Sequence, residues 1–121
     1  MSIRIESYKD LIVWQKAIDL VVAVYELTAQ FPKEEKYGLS SQMREASVSI
    51  PSNIAEGSRR KTRKEYAYFL RISFGSASEL ETQVIAAKRL PFTKNLNYSK
   101  VDLLLDEVLR MLNKMLDSLE H

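Results

Sequence analysis

The stretch Leu11–Phe31, LIVWQKAIDLVVAVYELTAQF, decides the fold. Its apolar residues recur with a helical period and form two neighbouring stripes. The first stripe is Leu11, Trp14, Ile18, Val21 and Tyr25, and the second is Val13, Ala17, Leu20, Val24, Leu27 and Phe31. On the rest of the helix, Lys16, Asp19, Glu26 and Gln30 leave only a narrow polar strip. A helix this apolar has more surface to bury than its neighbours in one bundle normally cover, so the stretch predicts a helical bundle that self-associates.

We expect this first helix to begin near Ser7 or Asp10, either of which can cap it, and to end at Phe31 because Pro32 follows. Its most apolar positions should pack in the core or between copies of the chain. This predicted oligomer or core seam consists of Trp14, Ala17, Leu20, Val24 and Phe31.

The second helix is predicted to start between Tyr37 and Ser41 and to end at Gly57, which suits a position just past a helix end. Pro51 lies inside it. Proline removes one helical hydrogen bond and clashes with the preceding turn, so we expect a kink, with Ser47 or Ser49 satisfying the freed backbone.

The third helix should follow the polar segment 58–63 and reach Pro91, with a seam of Tyr66, Leu70, Ser73, Ala77, Leu80, Val84 and Ala87. Its middle is rich in small residues, which predicts close approach by the second helix near Ala46 to Ser49. A fourth helix capped by Ser99 carries Val101, Leu104, Leu105, Val108, Leu112, Met115 and Leu119. The sequence therefore predicts an all-α, antiparallel up-down-up-down four-helix bundle in one domain, residues 1–121.

Composition narrows the class of protein. The chain has 121 residues, three glycines, three prolines and no cysteine, so disulfides and thiolate metal sites are impossible. No apolar run is long enough for a membrane span and no signal peptide is visible, which predicts a cytoplasmic protein. The ending Leu119-Glu120-His121 is typical of the start of a vector-encoded tag, so the only histidine, His121, is left out of functional reasoning.

The centre of the chain carries its most specific motif, Ser49–Gly57, SIPSNIAEG. Other landmarks are spread over nearly the whole chain: Leu11 and Trp14–Ala17, Phe31-Pro32 with Glu35, Tyr37–Leu39, Gln42, Arg44, Ala46, Glu65, Phe69-Leu70, Gly75-Ser76 and Glu79–Glu81. Together they resemble the four-helix bundle proteins encoded by intervening sequences in bacterial 23S ribosomal RNA genes. Phe74 before Gly75 departs from the alanine that is frequent in relatives.

This resemblance implies a bundle that assembles into a ring, typically a homopentamer, without established enzymatic activity. A distantly related branch comprises the accessory variability proteins of diversity-generating retroelements, which are basic pentamers that bind nucleic acid and the reverse transcriptase. Kinship of fold is weak grounds for transferring a function between branches.

The strongest candidate for a partner site is a basic cluster of Arg59, Arg60, Lys61, Arg63 and Lys64, between the second and third helices. Such a cluster can bind the phosphates of RNA or DNA, and a ring would present it several times. Residues 57–94 contain nine basic and three acidic residues. The alternative is a solvated turn whose cations favour the C-terminal dipole of the second helix, since the whole chain has a net charge of only +2. Among nearby aromatics, only Tyr68 is expected to be exposed enough to stack on a base.

A polar set on the second and third helices is the other candidate, comprising Gln42, Arg44, Asn53, Glu56, Glu79 and Glu81. We interpret it as a structural network in which Arg44 neutralises a buried glutamate and Asn53 satisfies backbone near Pro51. A carboxylate metal site using Glu56 and Glu79 is the less favoured alternative, because the histidines of di-metal bundles are missing.

No catalytic motif is visible. The serines have no histidine base, and no glycine-rich loop is present to hold a phosphate or an oxyanion. We therefore predict no enzymatic activity, no cofactor and no metal. The leading interpretation is an oligomeric scaffold that docks nucleic acid or a nucleic-acid-handling protein, and the alternative is a pure protein–protein interaction module.

Overall fold

The computed structural model describes residues 7–35 and 38–121, and within them the regular elements are all helical. The α-helices are α1 (Ile12–Thr28), α2 (Leu39–Ser58), α3 (Arg63–Arg89) and α4 (Ser99–Glu120). Two 3₁₀ turns, Tyr8–Asp10 and Lys33–Glu35, flank α1. The prediction of an all-α fold with four helices is confirmed. The predicted start of α2 at Tyr37 lies outside the described residues.

The core lies among all four helices. α1 packs against α2 and α4, and α3 packs against the same two helices. Leu20, Met43, Ile50, Ile54, Leu70, Leu80 and Leu112 are its largest completely buried apolar side chains. Four residues of the predicted seam, Ala17, Leu20, Val24 and Phe31, are buried inside the single chain, whereas Trp14 is half-buried. The first stripe of α1, to which Trp14 belongs, therefore keeps accessible apolar surface after the core has formed.

The ends of α1 differ from their predicted positions. Ser7 caps the preceding 3₁₀ turn, accepting a hydrogen bond from the Lys9 N–H at 3.2 Å, and α1 starts only at Ile12. At its other end α1 stops at Thr28, and Phe31 donates its N–H to the Thr28 carbonyl at 3.1 Å within a turn. Phe31 precedes a proline, which disfavours helical backbone at that residue, and so the chain leaves the helix early. The Phe31 side chain still reaches the core.

α2 begins at a turn organised by Glu35. The Glu35 carboxylate accepts a hydrogen bond from the Leu39 N–H at 3.1 Å, which satisfies one of the free donors at the helix start. α2 then continues through Pro51 to Ser58 without interruption. Asn53 donates its amide to the Ser49 carbonyl at 2.9 Å, so a side chain reinforces the backbone beside the proline.

Small residues bring α2 and α3 together. The hydroxyls of Ser49 and Ser76 are 2.8 Å apart, and Ser73 donates to the Ile50 carbonyl at 2.8 Å from a buried position. Gly75 lies in the same small-residue stretch of α3 but does not take part in this contact, because a Cβ added there would meet nothing within 4 Å.

Gly57 has a different role from the predicted one. It lies inside α2 and has no positive φ, so it does not terminate the helix. A Cβ at this position would lie 2.8 Å from the Phe69 Cβ and 3.0 Å from a Tyr66 ring carbon. Glycine is required here because it lets the last turn of α2 lie directly against the first turns of α3. The same contact positions the segment that links the two helices.

None of the helices in the described parts of the chain combines the length and the apolarity that crossing a membrane requires.

Candidate functional site

We call the segment that links α2 to α3 the basic junction, and it consists of Arg59, Arg60, Lys61, Arg63 and Lys64. All five side chains are exposed. The segment turns at Thr62, whose hydroxyl accepts a hydrogen bond from the Glu65 N–H at 3.1 Å and so caps α3. Thr62 fixes where the helix starts, and Gly57 fixes how close it lies to α2. The backbone of the basic junction is therefore held by neutral residues, while the cations project into solvent.

The three arginines contact other parts of the chain. The Arg59 guanidinium lies over the Tyr8 ring at 5.3 Å from its centre. Arg60 forms an ion pair with Glu56 and lies over the Phe69 ring at 4.6 Å. Arg63 donates to the Ser118 carbonyl near the end of α4 at 2.8 Å. These contacts account for the position of each arginine, and they leave the positive charges of Arg59 and Arg63 without an anionic partner among the described residues.

The two lysines have no such contacts with the residues that the structure describes. Within residues 7–35 and 38–121, neither Lys61 nor Lys64 forms an ion pair. Arg63 and Lys64 also occupy the first turn of α3, where the partial positive charge of the helix end disfavours a cation by about 0.3–1 kcal/mol. Only Arg59 and Arg60 lie at the C-terminal end of α2, where the dipole favours them. The solvated-turn interpretation therefore explains two of the five cations.

A shallow depression of about 390 Å³ adjoins the basic junction, and we call it the aromatic recess. It is lined by Arg60, Lys64, Glu65, Tyr68 and Phe69. The Tyr68 and Phe69 rings are nearly perpendicular, at 87°, with centres 5.2 Å apart. Tyr68 is 61% exposed, whereas Phe69 is half-buried beneath Arg60. An accessible aromatic ring therefore lies next to cations.

The predicted polar set does not come together. Arg44 contacts α1, donating to the Thr28 hydroxyl at 2.8 Å and lying over the Tyr25 ring at 4.7 Å, and it pairs with no glutamate among the described residues. Asn53 bonds to Ser49, within its own helix. The prediction that Arg44 neutralises a buried glutamate is wrong, because the helical repeat turns Arg44 toward α1 and away from the glutamates.

The glutamates of this set also have separate surroundings. Glu56 pairs with Arg60 at the basic junction, and Glu79 accepts a 3.4 Å hydrogen bond from Gln83 one turn along α3. Gln42 and Glu81 are exposed. Across the described chain, no group of three or more acidic, histidine or cysteine side chains is placed to hold a metal ion. Glu56 and Glu79 thus do not share a site.

A second depression, which we call the apolar groove, was not predicted from the sequence. It has a volume of about 870 Å³ and lies between the start of α1 and the end of α4. Its lining residues are Asp10, Leu11, Ile12, Val13, Tyr66, Met111, Lys114, Met115, Ser118 and Leu119. Burial raises the pKa of Tyr66 above its ordinary value. The sequence feature that could have predicted the groove is the pair Met111 and Met115, one turn apart. Flexible thioethers are common on adaptable binding surfaces.

Comparisons with known proteins agree with the resemblance seen in the sequence. A family model described as 23S rRNA-intervening sequence protein matches residues 9–114. A solved structure of a protein of unknown function, from the S23 ribosomal protein family of Bacteroides thetaiotaomicron, superposes with a TM-score of 0.72 at 19% identity. The alignment covers 87% of this chain and 98% of that chain, and at this identity it supports the fold alone. No match was found among curated proteins.

Proposed function

The chain belongs to the 23S rRNA-intervening sequence protein family, a family of unknown function, and from this premise we propose that it is a non-enzymatic oligomeric scaffold that docks nucleic acid. The docking surface is the basic junction. The observation that carries the proposal is the placement of Arg63 and Lys64 in the first turn of α3. Both cations destabilise the start of the helix, and neither has an anionic partner in the described chain. Such a placement is expected where the phosphates of a nucleic acid supply the negative charge.

The scaffold we propose is an antiparallel up-down-up-down bundle that forms a homopentameric ring. Contacts between α2 and α3 support the antiparallel order, because Ser49 meets Ser76 whereas Gly57, further along α2, meets Phe69, which comes earlier in α3. The pentamer is an expectation from the family resemblance. The kink that the sequence predicts at Pro51 is also part of this proposal. Pro51 lies inside α2, which is one continuous helix from Leu39 to Ser58.

Self-association is supported by the outer stripe of α1. Leu11, Trp14, Ile18 and Val21 are only half-buried, and Tyr25 is exposed. Val48 on the neighbouring α2 is 41% exposed. Burial of apolar surface stabilises by about 25 cal/mol per Å², so a continuous apolar stripe favours contact between copies.

Sedimentation of dilute protein tests the assembly. We expect the wild type to sediment as an oligomer and Ile18→Glu, which places a charge in the stripe, to dissociate it. Leu103→Glu is the matched control, because Leu103 is an exposed apolar residue on α4 outside the stripe. A well-folded wild-type monomer would contradict the assembly.

Mobility shifts on a structured RNA at low salt test the docking. We expect the quadruple variant Arg59→Ala, Arg60→Ala, Lys61→Ala, Arg63→Ala to lose most of its affinity, and equal affinity would rule the docking surface out. Because the arginines also contact the fold, the sharper variant is Lys61→Gln with Lys64→Gln.

The control for that double variant removes the same charge elsewhere, at the exposed Lys94 and Lys100. For the junction variant, the slope of log affinity against log salt should fall by roughly 0.7–0.9 for each lysine that contacts a phosphate. The control should keep the wild-type slope. An equal effect of the two variants would mean that net charge, and not the basic junction, controls binding.

A pure protein–protein interaction module is the second candidate function, and the apolar groove favours it. Met111, Met115 and Leu119 offer an adaptable apolar surface near the same end of α4 that Arg63 contacts. Isolation of the protein from host extract with and without nuclease separates the candidates. Partners that are lost on nuclease treatment support nucleic-acid docking, and partners that remain support the interaction module.

A further inference from the structure

We propose that the aromatic recess binds one unpaired base of a single-stranded nucleic acid, with the base stacked on Tyr68 and an adjoining phosphate held by Lys64. This inference rests on the nucleic-acid docking proposed above and specifies the kind of strand that docks. It concerns a site whose geometry is formed by the first two turns of α3 and the last turn of α2.

The ring of Tyr68 is presented in a way that suits stacking. Helical spacing turns Ala67 and Leu70 inward and leaves Tyr68 on the outside of α3, 61% exposed. The perpendicular Phe69 ring supports it from one direction. Phe69 itself is fixed because Gly57 allows α2 to contact its Cβ directly. The stacking surface is therefore backed by the packed core instead of depending on a mobile loop.

The charges around the ring suit a nucleotide. Lys64 precedes Tyr68 by four residues, so both side chains lie on the same face of α3. Glu65, also in the recess, would repel a phosphate, which leaves the Lys64 side as the favourable position for the backbone. Arg60 is partly neutralised by Glu56 and serves mainly to cover Phe69. Lys64 is thus the residue we assign to the phosphate.

The exposed aromatic ring of the recess favours unpaired bases over paired ones. Stacking on an exposed aromatic ring requires a free base face, and single strands offer one at every nucleotide. Within a duplex each base is stacked between its neighbouring bases, so no base face is free to stack on the Tyr68 ring. The basic junction would still attract duplex phosphates through charge, because that attraction does not depend on sequence or strandedness. The recess therefore adds strand preference to a surface that otherwise recognises only charge.

Fluorescence anisotropy with labelled oligouridylate and oligothymidylate tests this inference, with each strand measured alone and annealed to its complement. We expect wild-type protein to bind both single strands more tightly than either duplex. Tyr68→Leu should weaken single-strand binding by about 10-fold and leave duplex binding unchanged. Tyr68→Phe keeps the ring and should behave as wild type.

Phe92→Leu is the matched control, because Phe92 is 73% exposed but follows the far end of α3, whose last residue lies roughly 30 Å from Tyr68 along the helix axis. Unchanged single-strand affinity in Tyr68→Leu would overturn the stacking site while leaving the docking proposal intact. Equal losses on single strands and duplexes, or failure of Tyr68→Phe to restore binding, would also overturn it. Absence of wild-type binding to every probe would overturn the docking proposal itself.

Discussion

The two connections that enter and leave α3 have opposite chemistry. The turn between α3 and α4, residues 90–98, directs two of its polar side chains inward: Thr93 donates to the Ala87 carbonyl at 2.6 Å, and Tyr98 donates to the Thr93 carbonyl at 2.8 Å. Both hydrogen bonds are buried. Lys88, beside this turn, pairs with Asp102 at 2.7 Å. In the basic junction the cations point outward, and only Arg60 has an acidic partner among the described residues.

This difference separates residues that hold the fold from residues that are available for binding. A polar group whose hydrogen bonds are satisfied inside the protein contributes to stability, and its loss leaves a buried partner unsatisfied. An exposed cation without a partner contributes little to stability and is free to bind a phosphate. Substitutions of the buried Thr93 and Tyr98 should therefore change stability, and substitutions in the basic junction should change binding.

The largest effect should come from Gly57→Ala, which attacks the contact that positions the basic junction. The new Cβ would lie 2.8 Å from the Phe69 Cβ, so one of the two helices must shift. We expect the free energy of unfolding to fall by about 1–3 kcal/mol in chemical denaturation.

Gly75→Ala is the matched control for that experiment. Its Cβ meets nothing within 4 Å, and alanine favours the interior of a helix over glycine by roughly 1 kcal/mol. The monomeric fold should therefore gain stability. Similar losses at both positions would mean that close packing at Gly57 is not what limits substitution there.

Thr93→Val should have the next largest effect, because it removes the donor to the buried Ala87 carbonyl while keeping the side-chain shape. We expect a loss of about 1–2 kcal/mol in the free energy of unfolding, without a change in nucleic-acid affinity. A variant of wild-type stability, or one with altered affinity, would break the proposed separation between the turn and the basic junction.

Glu56→Gln should strengthen binding by a smaller amount. Removing the carboxylate frees the Arg60 charge for a phosphate and leaves the stability nearly unchanged, since an exposed ion pair contributes only about 0–1 kcal/mol. Titration of a structured RNA should show higher affinity and a salt slope steeper by roughly 0.7–0.9. Asp102→Gln, which frees Lys88 in the same way beside the turn, is the control and should leave that slope unchanged. Weaker RNA binding by Glu56→Gln would contradict a role for the basic junction.

The smallest effect should appear at alkaline pH through Tyr98. Burial, together with the nearby Asp102 carboxylate, raises the pKa of Tyr98 above its ordinary value, against an opposing effect of the Thr93 side chain. The folded state therefore holds this proton more tightly than the unfolded state. The resulting stability is complete below about pH 10 and is lost as the pH rises through the folded-state pKa. Tyr98→Phe should show a shallower decline in stability above pH 10 than wild type, and parallel declines would refute this.

The sequence predicted element type well and contacts between elements less well. Periodicity located all four helices, but the predicted cap of α4 is wrong: Ser99 is the first helical residue, and the N-cap is Tyr98, whose side chain caps nothing. Periodicity also predicted that Tyr68 would be exposed. These features depend on a residue's position within its own helix, which sequence spacing defines directly.

The incorrect or missing predictions concern which neighbouring helix a side chain contacts. Gly57 suits either a left-handed helix end or a close helix contact, and spacing alone does not distinguish the two. Arg44 was assigned a glutamate partner but faces Thr28 and Tyr25, because the side of α2 that α1 occupies is set by the assembled fold. The apolar groove was missed for the same reason, since its walls come from helices distant in sequence.

The glycine contact between α2 and α3 has a consequence for how this protein can diversify. Position 57 tolerates nothing larger than a hydrogen atom without displacing a helix, while the five cations that follow have solvent on their outer side. The side chains of this loop can therefore be exchanged, and with them the docking surface that we propose, without rebuilding the scaffold. A library randomised at the loop side chains, with the glycine retained, would sample new specificities on an unchanged backbone.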